Sequence, residues 1–521
     1  MFDGGLPEIA ELAALSDAAL VEAAGGWVAA ENAACARKLA VMAEIFARRT
    51  GLPSGQRELW WVDPQAAVAA ELAAAVNVSH GMALHQTHRG VALRDRLPQV
   101  AALFAQGVVS DLLVRTIVWR TYLIGDEAAM AAVDAALAER ITGWAALSIA
   151  KTEAAIDALV DEHDPGALRR SRESASTPTV EFGSPADVPG TTSMWARLAA
   201  PDAALIEQRL DETAHATCEA DPRSIDERRA KALFAAVTHT PLACACGHPD
   251  CPGNQGERPA KNAVVYVVAE RESIDTAPVA QSDTGAADLA DRGDDPAPPA
   301  EHPGPPSEGP AGGESARCPA PPAYVFGAGI LPTPLLGAIL DRATIREVHH
   351  PGAASQPEPR YTPSRKTAEF VRCRDLTCRF PGCDKAAQVC DLDHTVAYPY
   401  GPTHPSNLKC LCRFHHLLKT FWQGLGGWRD RQLPDGTIIW TSPTGHTYTT
   451  YPGAMHLFPT LCAPTATLWY GEPPTVEPTG DRGVMMPQRR HTRAATTATA
   501  KAAERRLNDP YIAERTKPPP F

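Results

Sequence analysis

CRDLTCRFPGCDKAAQVCDLDHTVAYPYGPTHPSNLKCLCRFHHLLK, residues 373–419, gathers six cysteines and four histidines into less than a tenth of the chain. Two spacings are superimposed in it. Cys378 and Cys383 flank Arg-Phe-Pro-Gly, which reads as a tight turn, and Cys412 and His415 stand where a strand is expected to pass into a helix. A turn pair and a strand-to-helix pair together supply the four soft ligands of a closed tetrahedral zinc site. The rival reading is a set of buried free thiols. Short-spaced thiols beside histidines in a reducing compartment favour the metal. Cys373, Cys390 and Cys410 are surplus and could each replace one of the four.

A second constellation runs through the same stretch: Asp393-His394, Asn407 and His416. Residues 390–394 read as the end of a short strand, 399–406 as a loop, 407–412 as a second strand and 413–421 as a helix. Two adjacent side chains at a strand end would then face a histidine on the helix. Neighbouring residues on a helix point about 100° apart, so His415 can serve a zinc while His416 serves another site. This order of residues resembles the HNH nuclease motif, a ββα-metal finger. The resemblance implies that His394 is the general base that deprotonates the attacking water. It makes Asp393 and His416 the ligands of one divalent cation (Mg²⁺, Mn²⁺ or Ni²⁺) and gives Asn407 the task of fixing the loop. An imidazole titrates near neutrality and suits that base role. A cation with open positions suits the charge that develops on a phosphodiester. Lys419, three residues beyond His416, reads either as a phosphate contact or as a solvated surface lysine.

The rest of the chain sets bounds. Its 521 residues suffice for two or three domains. The start, MFDGGLPEIAEL, has neither a basic segment nor an apolar run, and no stretch of eighteen apolar residues occurs. A cytoplasmic protein with no membrane partner is therefore expected. The net charge of −12 is unevenly spread: residues 360–431 carry twelve Lys/Arg and six Asp/Glu, whereas 275–316 carry nine acidic residues and one basic. The candidate module is thus the basic part of an acidic chain, which keeps DNA as the expected partner. Arg372 and Arg374, on a helix expected over 364–374, are natural backbone contacts together with Lys419.

Taken in order, residues 5–240 read as a mostly helical domain with a small α+β part. Helices are expected over 6–49 (broken at Gly25-Gly26), 63–76, 81–93, 97–106, 110–122, and 126–150 continuing to 161. His80, His85 and His88 read as ordinary helix histidines. Two short strands are expected near 179–182 and 192–198, with helices to about 218 and over 221–237. Residues 241–273 hold Cys244, Cys246, His248 and Cys251 in CACGHPDC, either a zinc knuckle or a Cys-rich turn, then a buried strand at 264–269. Ligands so crowded strain to reach one ion, which favours the plain turn. Residues 274–320 read as a disordered linker, since so few large apolar side chains cannot offset ordering entropy. The module at 321–465 begins with a helix at 331–342 and a strand at 344–349, and closes with a β meander whose turns are Pro434-Asp435-Gly436 and Pro443-Thr444-Gly445. The tail, 471–521, carries nine Lys/Arg against four acidic residues from 481 onward and reads as a disordered basic arm.

Four stretches carry a wider resemblance: DPRSIDERRAKAL at 221–233, LACACGHPDC at 242–251, the segment from Tyr361 to Lys419, and WRDRQLPDGTIIWTSPTGHTYTT at 428–450. On these the chain resembles the actinobacterial thirteen-E-twelve repeat family, in which a helical region of unknown function precedes a C-terminal HNH module. The resemblance implies a metal-dependent DNA endonuclease that leaves 5′ phosphates and 3′ hydroxyls. The alternative is a non-catalytic zinc-containing DNA-binding or interaction protein. An RNA-directed enzyme finds no aromatic stacking platform in this sequence. Self-association or a protein partner is the role open to the helical region.

Overall fold

A computed structural model describes residues 6–51, 55–144, 147–169, 179–183, 187–188, 190–198, 200–248, 250–251, 253, 265–277, 320–340, 343–422, 427–474 and 486–517. The linker expected at 274–320 lies almost wholly outside the described residues. The chain divides into two compact units: Met1–Ser176 with His349–Met455 and Thr460–Phe521, and Thr177–Val348 with His456–Pro459.

The first unit is built on helices whose starts are written in the sequence. Ser16, Asp63, Ser79, Ser110, Asp126 and Ser148 each accept a hydrogen bond from the amide three residues on, opening helices Asp17–Thr50, Pro64–Val76, His80–Asp95, Asp111–Arg120, Glu127–Ile141 and Ile149–His163. Helix Pro98–Ala105 completes the bundle, with Pro98 at its first turn. The expected break at Gly25-Gly26 does not occur. The helix runs through, and a Cβ on Gly26 would meet Leu6 Cδ2 at 2.3 Å, so the glycine makes room for the preceding segment. The expected single helix over 126–150 instead stops at Ile141 and restarts at the Ser148 cap. Leu39, Met42, Phe104, Ile117, Val133, Leu137 and Leu159 are buried together at the centre. His80 bonds to the Ala66 carbonyl and His88 meets Phe46 edge-on, both burying rings in packing.

The same unit holds the cysteine-rich stretch. Strands Cys390–His394 and Leu408–Cys412 pair antiparallel and lead directly into helix Arg413–Phe421. Behind them lie helix Arg365–Asp375 and a three-stranded meander, Arg429–Gln432, Ile438–Thr441 and Thr447–Thr450. Trp440 of its middle strand is fully buried and donates its indole N–H to the Arg379 carbonyl at 2.9 Å. The helical bundle reaches this part directly: Glu71 accepts the Thr444 amide at 3.0 Å, and His80 lies 4.6 Å from the Phe414 ring.

The tail departs from expectation. Residues of helices Arg493–Arg506 and Asp509–Arg515 fold back on the bundle. Arg505 pairs with Asp164 at 2.8 and 3.0 Å, Arg169 with Glu504 at 3.0 and 3.1 Å, and Arg493 with Asp63 at 2.9 Å. Arg493, Arg505 and Arg515 of the segment read as a free arm thus face carboxylates of the bundle, and Asn508 Nδ2 donates to the Gly166 and Leu168 carbonyls.

In the second unit, Thr179–Phe182 and Met194–Arg197 form a hairpin, and helices Ala200–His215 and Ile225–Thr238 pack on each other. Ser224 and Glu227 close a capping box at the start of the latter. A small sheet joins Val267–Val268, Ala323–Val325 and Gly329–Leu331, followed by helix Thr333–Leu340. The strand expected over 344–349 is absent there: those residues run without regular structure.

Candidate functional site

The turn after helix Arg365–Asp375 brings Cys378 and Cys383 to the end of the hairpin. Cys378 donates its amide to the Lys385 carbonyl, Cys383 its amide to Phe380, and Gly382 takes a positive φ of 73° that a side chain would resist. Cys412 ends the second strand, and His415 lies one helical turn beyond it. The ligand atoms of Cys378, Cys383, Cys412 and His415 all lie within 4.8 Å of one another. His415 Nδ1 is 3.2 Å from Cys412 Sγ and 3.6 Å from Cys378 Sγ, and its ring stacks on Phe380 at 3.9 Å. Hydrogen bonds from Cys378 and Cys383 hold the Cys412 thiol far below its ordinary range. This cluster could bind a metal ion such as zinc. The surplus thiols are not among the four that converge: Cys390 donates to backbone carbonyls and also touches Cys378, Cys410 is buried facing the Val371 carbonyl, and Cys373 is buried on helix Arg365–Asp375.

On the adjoining face of the hairpin lies an acidic site. Asp393 sits opposite Lys409 in the register, and its Oδ2 accepts Lys409 Nζ at 2.5 Å and Lys419 Nζ at 2.6 Å. Lys409 also pairs with Asp430 at 2.6 Å. His416 Nδ1–H donates to Asp391 Oδ2 at 2.8 Å, and its Nε2 lies 3.6 Å from Asp393 Oδ1. Burial alone would raise the Asp393 carboxyl; Lys409 and Lys419, with His416, overcome that and hold it below the usual carboxylate range.

His394 ends the first strand, is 7 % exposed, and stacks on Tyr361 at 5.3 Å. Its Nε2 lies 2.9 Å from Thr403 Oγ1, which itself donates to the Tyr361 carbonyl at 3.1 Å. A hydroxyl has one proton. With that proton on the carbonyl, Thr403 accepts from His394 Nε2–H, leaving Nδ1 with the free lone pair. Burial lowers the imidazole to about 4, against a smaller opposing pull from Asp393.

Asn407 is fully buried and ties the loop between the strands. Its Oδ1 accepts the Val396 amide at 2.8 Å, and its Nδ2 donates to the Val396 and Pro402 carbonyls at 3.0 and 2.9 Å. Gly401 is needed there, since a Cβ would come within 2.4 Å of the Val396 carbonyl oxygen.

The residues expected to touch nucleic acid are largely turned inward. Arg374 is 1 % exposed, paired with Asp375 and donating to the Pro405 and Leu408 carbonyls, so it braces the Asn407 turn instead of a phosphate. Arg372 is half-buried and bonds to the Ala387 carbonyl at 3.3 Å. Lys419 is no solvated lysine: besides Asp393, it bonds to the His394 carbonyl at 2.6 Å. Sequence reasoning missed Asp391, Thr403, Lys409 and Asp430. Asp391 was legible, because two residues before Asp393 on a strand means the same face. Lys409 needed the register, and Asp430 comes from a strand with no local signal.

The DUF222 family, described as a domain of unknown function, matches residues 27–292. The chain is 48% identical over 537 residues to the uncharacterized protein Rv2100 of Mycobacterium tuberculosis H37Rv, covering all of this chain and 93% of that protein. It is 46% identical over 524 residues to the uncharacterized protein Rv3776 of the same strain, covering all of this chain and 95% of that protein. A third M. tuberculosis relative, an uncharacterized protein in the est 3′ region, is 42% identical over 373 residues, 71% of this chain and all of that protein. No solved structure matches. The chain belongs to the DUF222 family.

Proposed function

We propose that this DUF222-family chain is a metal-dependent HNH endonuclease acting on DNA, with His394 as general base. The observation that carries the reading is the setting of His394: its Nε2 lies 2.9 Å from Thr403 Oγ1, whose own proton goes to the Tyr361 carbonyl, so Nδ1 is the nitrogen left to take a proton, and burial favours the neutral ring. It adjoins Asp393, whose Oδ1 faces His416 Nε2 at 3.6 Å. Adjacent oxygen or nitrogen ligands of a Mg²⁺-sized ion lie about 3 Å apart, so this pair would hold one cation after closing by roughly 0.6 Å. When bound, such a cation would stabilise charge on the phosphate and the departing 3′ oxygen. Asp391 orients His416 through Nδ1, the ring nitrogen not turned toward Asp393. Asn407 holds the intervening loop so that His394 is aimed. Cys378, Cys383, Cys412 and His415 would hold a structural zinc under the hairpin.

A second reading has its own observation. Asp391, Asp393 and Asp430 already face three cationic side chains, Arg413, Lys409 and Lys419. A module so neutralised suits a zinc-containing DNA-binding protein without catalysis. For the nuclease, the cation would bind Asp393 Oδ1 while Lys409 and Lys419 hold Oδ2 of the same carboxylate.

Purified protein incubated with supercoiled plasmid across Mg²⁺, Mn²⁺, Ni²⁺ and EDTA separates the two. Metal-dependent nicking that disappears in His394→Ala supports the endonuclease. Binding without cleavage under every metal establishes the docking module instead.

A further inference from the structure

Outside the hairpin region, a second set of thiols converges in the other unit. The Sγ atoms of Cys218, Cys244, Cys246 and Cys251 all lie within 4.8 Å of one another. Cys218 follows helix Ala200–His215, and the other three come from the turn after helix Ile225–Thr238. A tetrahedral zinc with Zn–S bonds of about 2.3 Å needs its four sulfurs about 3.8 Å apart. Cys218 Sγ is 3.3 Å from Cys244 Sγ, far beyond the roughly 2.05 Å of a disulfide. The four are free thiols at ligand spacing.

The backbone around them is braced for that spacing. Cys244 donates its amide to the Gly253 carbonyl at 2.9 Å and Cys251 to the His248 carbonyl at 3.1 Å, while Gly247 turns the chain with φ +72°. The Asp221 side chain, shut off from solvent, accepts the Ala245 amide at 3.1 Å and the Arg223 guanidinium at 2.7 and 2.9 Å. Arg223 also donates to the Ala243 carbonyl at 2.8 Å, and Arg228 to the Asp221 carbonyl at 2.6 Å. These bonds clamp the Cys244–Cys246 turn onto the loop just after Cys218. Among the described residues of this unit between Thr177 and Val348, the buried hydrophobics besides Cys244 are small in number: Ala214, Ala232 and Ala235 on the two helices, and Ala323, Leu331 and Leu336 around the sheet. A small core of that kind needs a staple.

We infer that Cys218, Cys244, Cys246 and Cys251 form a closed structural zinc site, independent of the one at Cys412. His248, which the CACGHPDC spacing offers as a ligand, is exposed and stands outside the set. The fourth ligand comes from 26 residues upstream of Cys244, so the ion ties the end of one helix to the turn after the next.

Zinc content of the purified full chain tests this. Wild type should hold two zinc ions per chain, Cys218→Ser one, Cys412→Ser one, and His248→Ala two. X-ray absorption at the zinc edge of Cys412→Ser should give four sulfur ligands and no nitrogen. The inference is overturned by two ions in Cys218→Ser, by loss of one in His248→Ala, or by a nitrogen ligand in the Cys412→Ser spectrum. Should Cys218→Ser fail to fold, the wild-type stoichiometry and the Cys412→Ser spectrum decide alone: one ion in wild type with none in Cys412→Ser overturns it.

Discussion

Asp393 and Lys409 face each other across the hairpin at 2.5 Å, carboxylate to ammonium, and both side chains are buried. Lys409 is in turn the buried partner of Asp430 on the meander. One ammonium therefore joins the strand that carries His394 to the sheet behind it.

Replacing Lys409 by Met keeps the stem and removes the charge, leaving two carboxylates short of a partner. Breaking a buried pair from one side costs roughly 3–5 kcal/mol. Urea denaturation of Lys409→Met should show a loss on that scale; a change within ~0.5 kcal/mol would mean the pair contributes no net stability.

Lys419 has the opposite consequence for a cation. Its ammonium lies 2.6 Å from Asp393 Oδ2, beside the Oδ1 that faces His416, so its positive charge opposes a divalent ion there. Lys419→Met should lower the Mn²⁺ concentration needed for half-maximal plasmid cleavage. A higher requirement would place Lys419 on the side of the substrate rather than against the metal.

Asn407 makes three hydrogen bonds to the loop from a fully buried position. Asn407→Ala should leave the Val396 amide and two carbonyls unpaired, at about 1–3 kcal/mol for each group that stays dry. Hydrogen exchange at Val396 should accelerate by orders of magnitude while amides of helix Pro64–Val76 keep their rates. Unchanged protection at Val396 would show that Gly401 and the backbone hold the loop without Asn407.

Burial lowers His394 and His404 alike to about 4. Unfolded histidine titrates near 6.5, so between those values the unfolded chain binds more protons than the folded one. Stability from these two groups is complete above pH 6.5 and is lost as pH falls toward 4. The urea midpoint should therefore drop between pH 7 and 5, and drop less in His404→Asn. Cleavage, by contrast, should not fall off near 6.5 through protonation of His394. A rate that halves at that pH would mean its imidazole is not held as described.

The C-terminal helices lean on Asp63, Asp161 and Asp164 through Arg493, Arg515 and Arg505. Ending the chain after Pro487 strips partners from three carboxylates and from the Gly166 and Leu168 carbonyls. The melting temperature should fall by several degrees, and trypsin should cut the intact tail slowly. Rapid tryptic loss of residues 493–515 with no change in melting would restore the free-arm reading.

Local signals carried much of this protein. Asp63 and Pro64 fixed one helix start to the residue, because capping is chemistry within four residues, whereas the starts at Ser16 and Ser148 were not read from the sequence although the same chemistry marks them. The turn at Cys378–Cys383 and the step from Cys412 to His415 named four residues that do converge into a cluster able to hold a metal ion, since both pairs are set by short backbone geometry. What required the tertiary structure was the use of charge. Arg374 looked like a phosphate contact and is a buried brace; Lys419 read as a phosphate contact or a solvated lysine and holds Asp393; the basic tail looked free and its helices pair with the bundle. A guanidinium or ammonium reads the same in sequence whether it faces water or a carboxylate dozens or hundreds of residues away. Only the fold decides which, because the partner is chosen by strand register and packing and not by spacing along the chain.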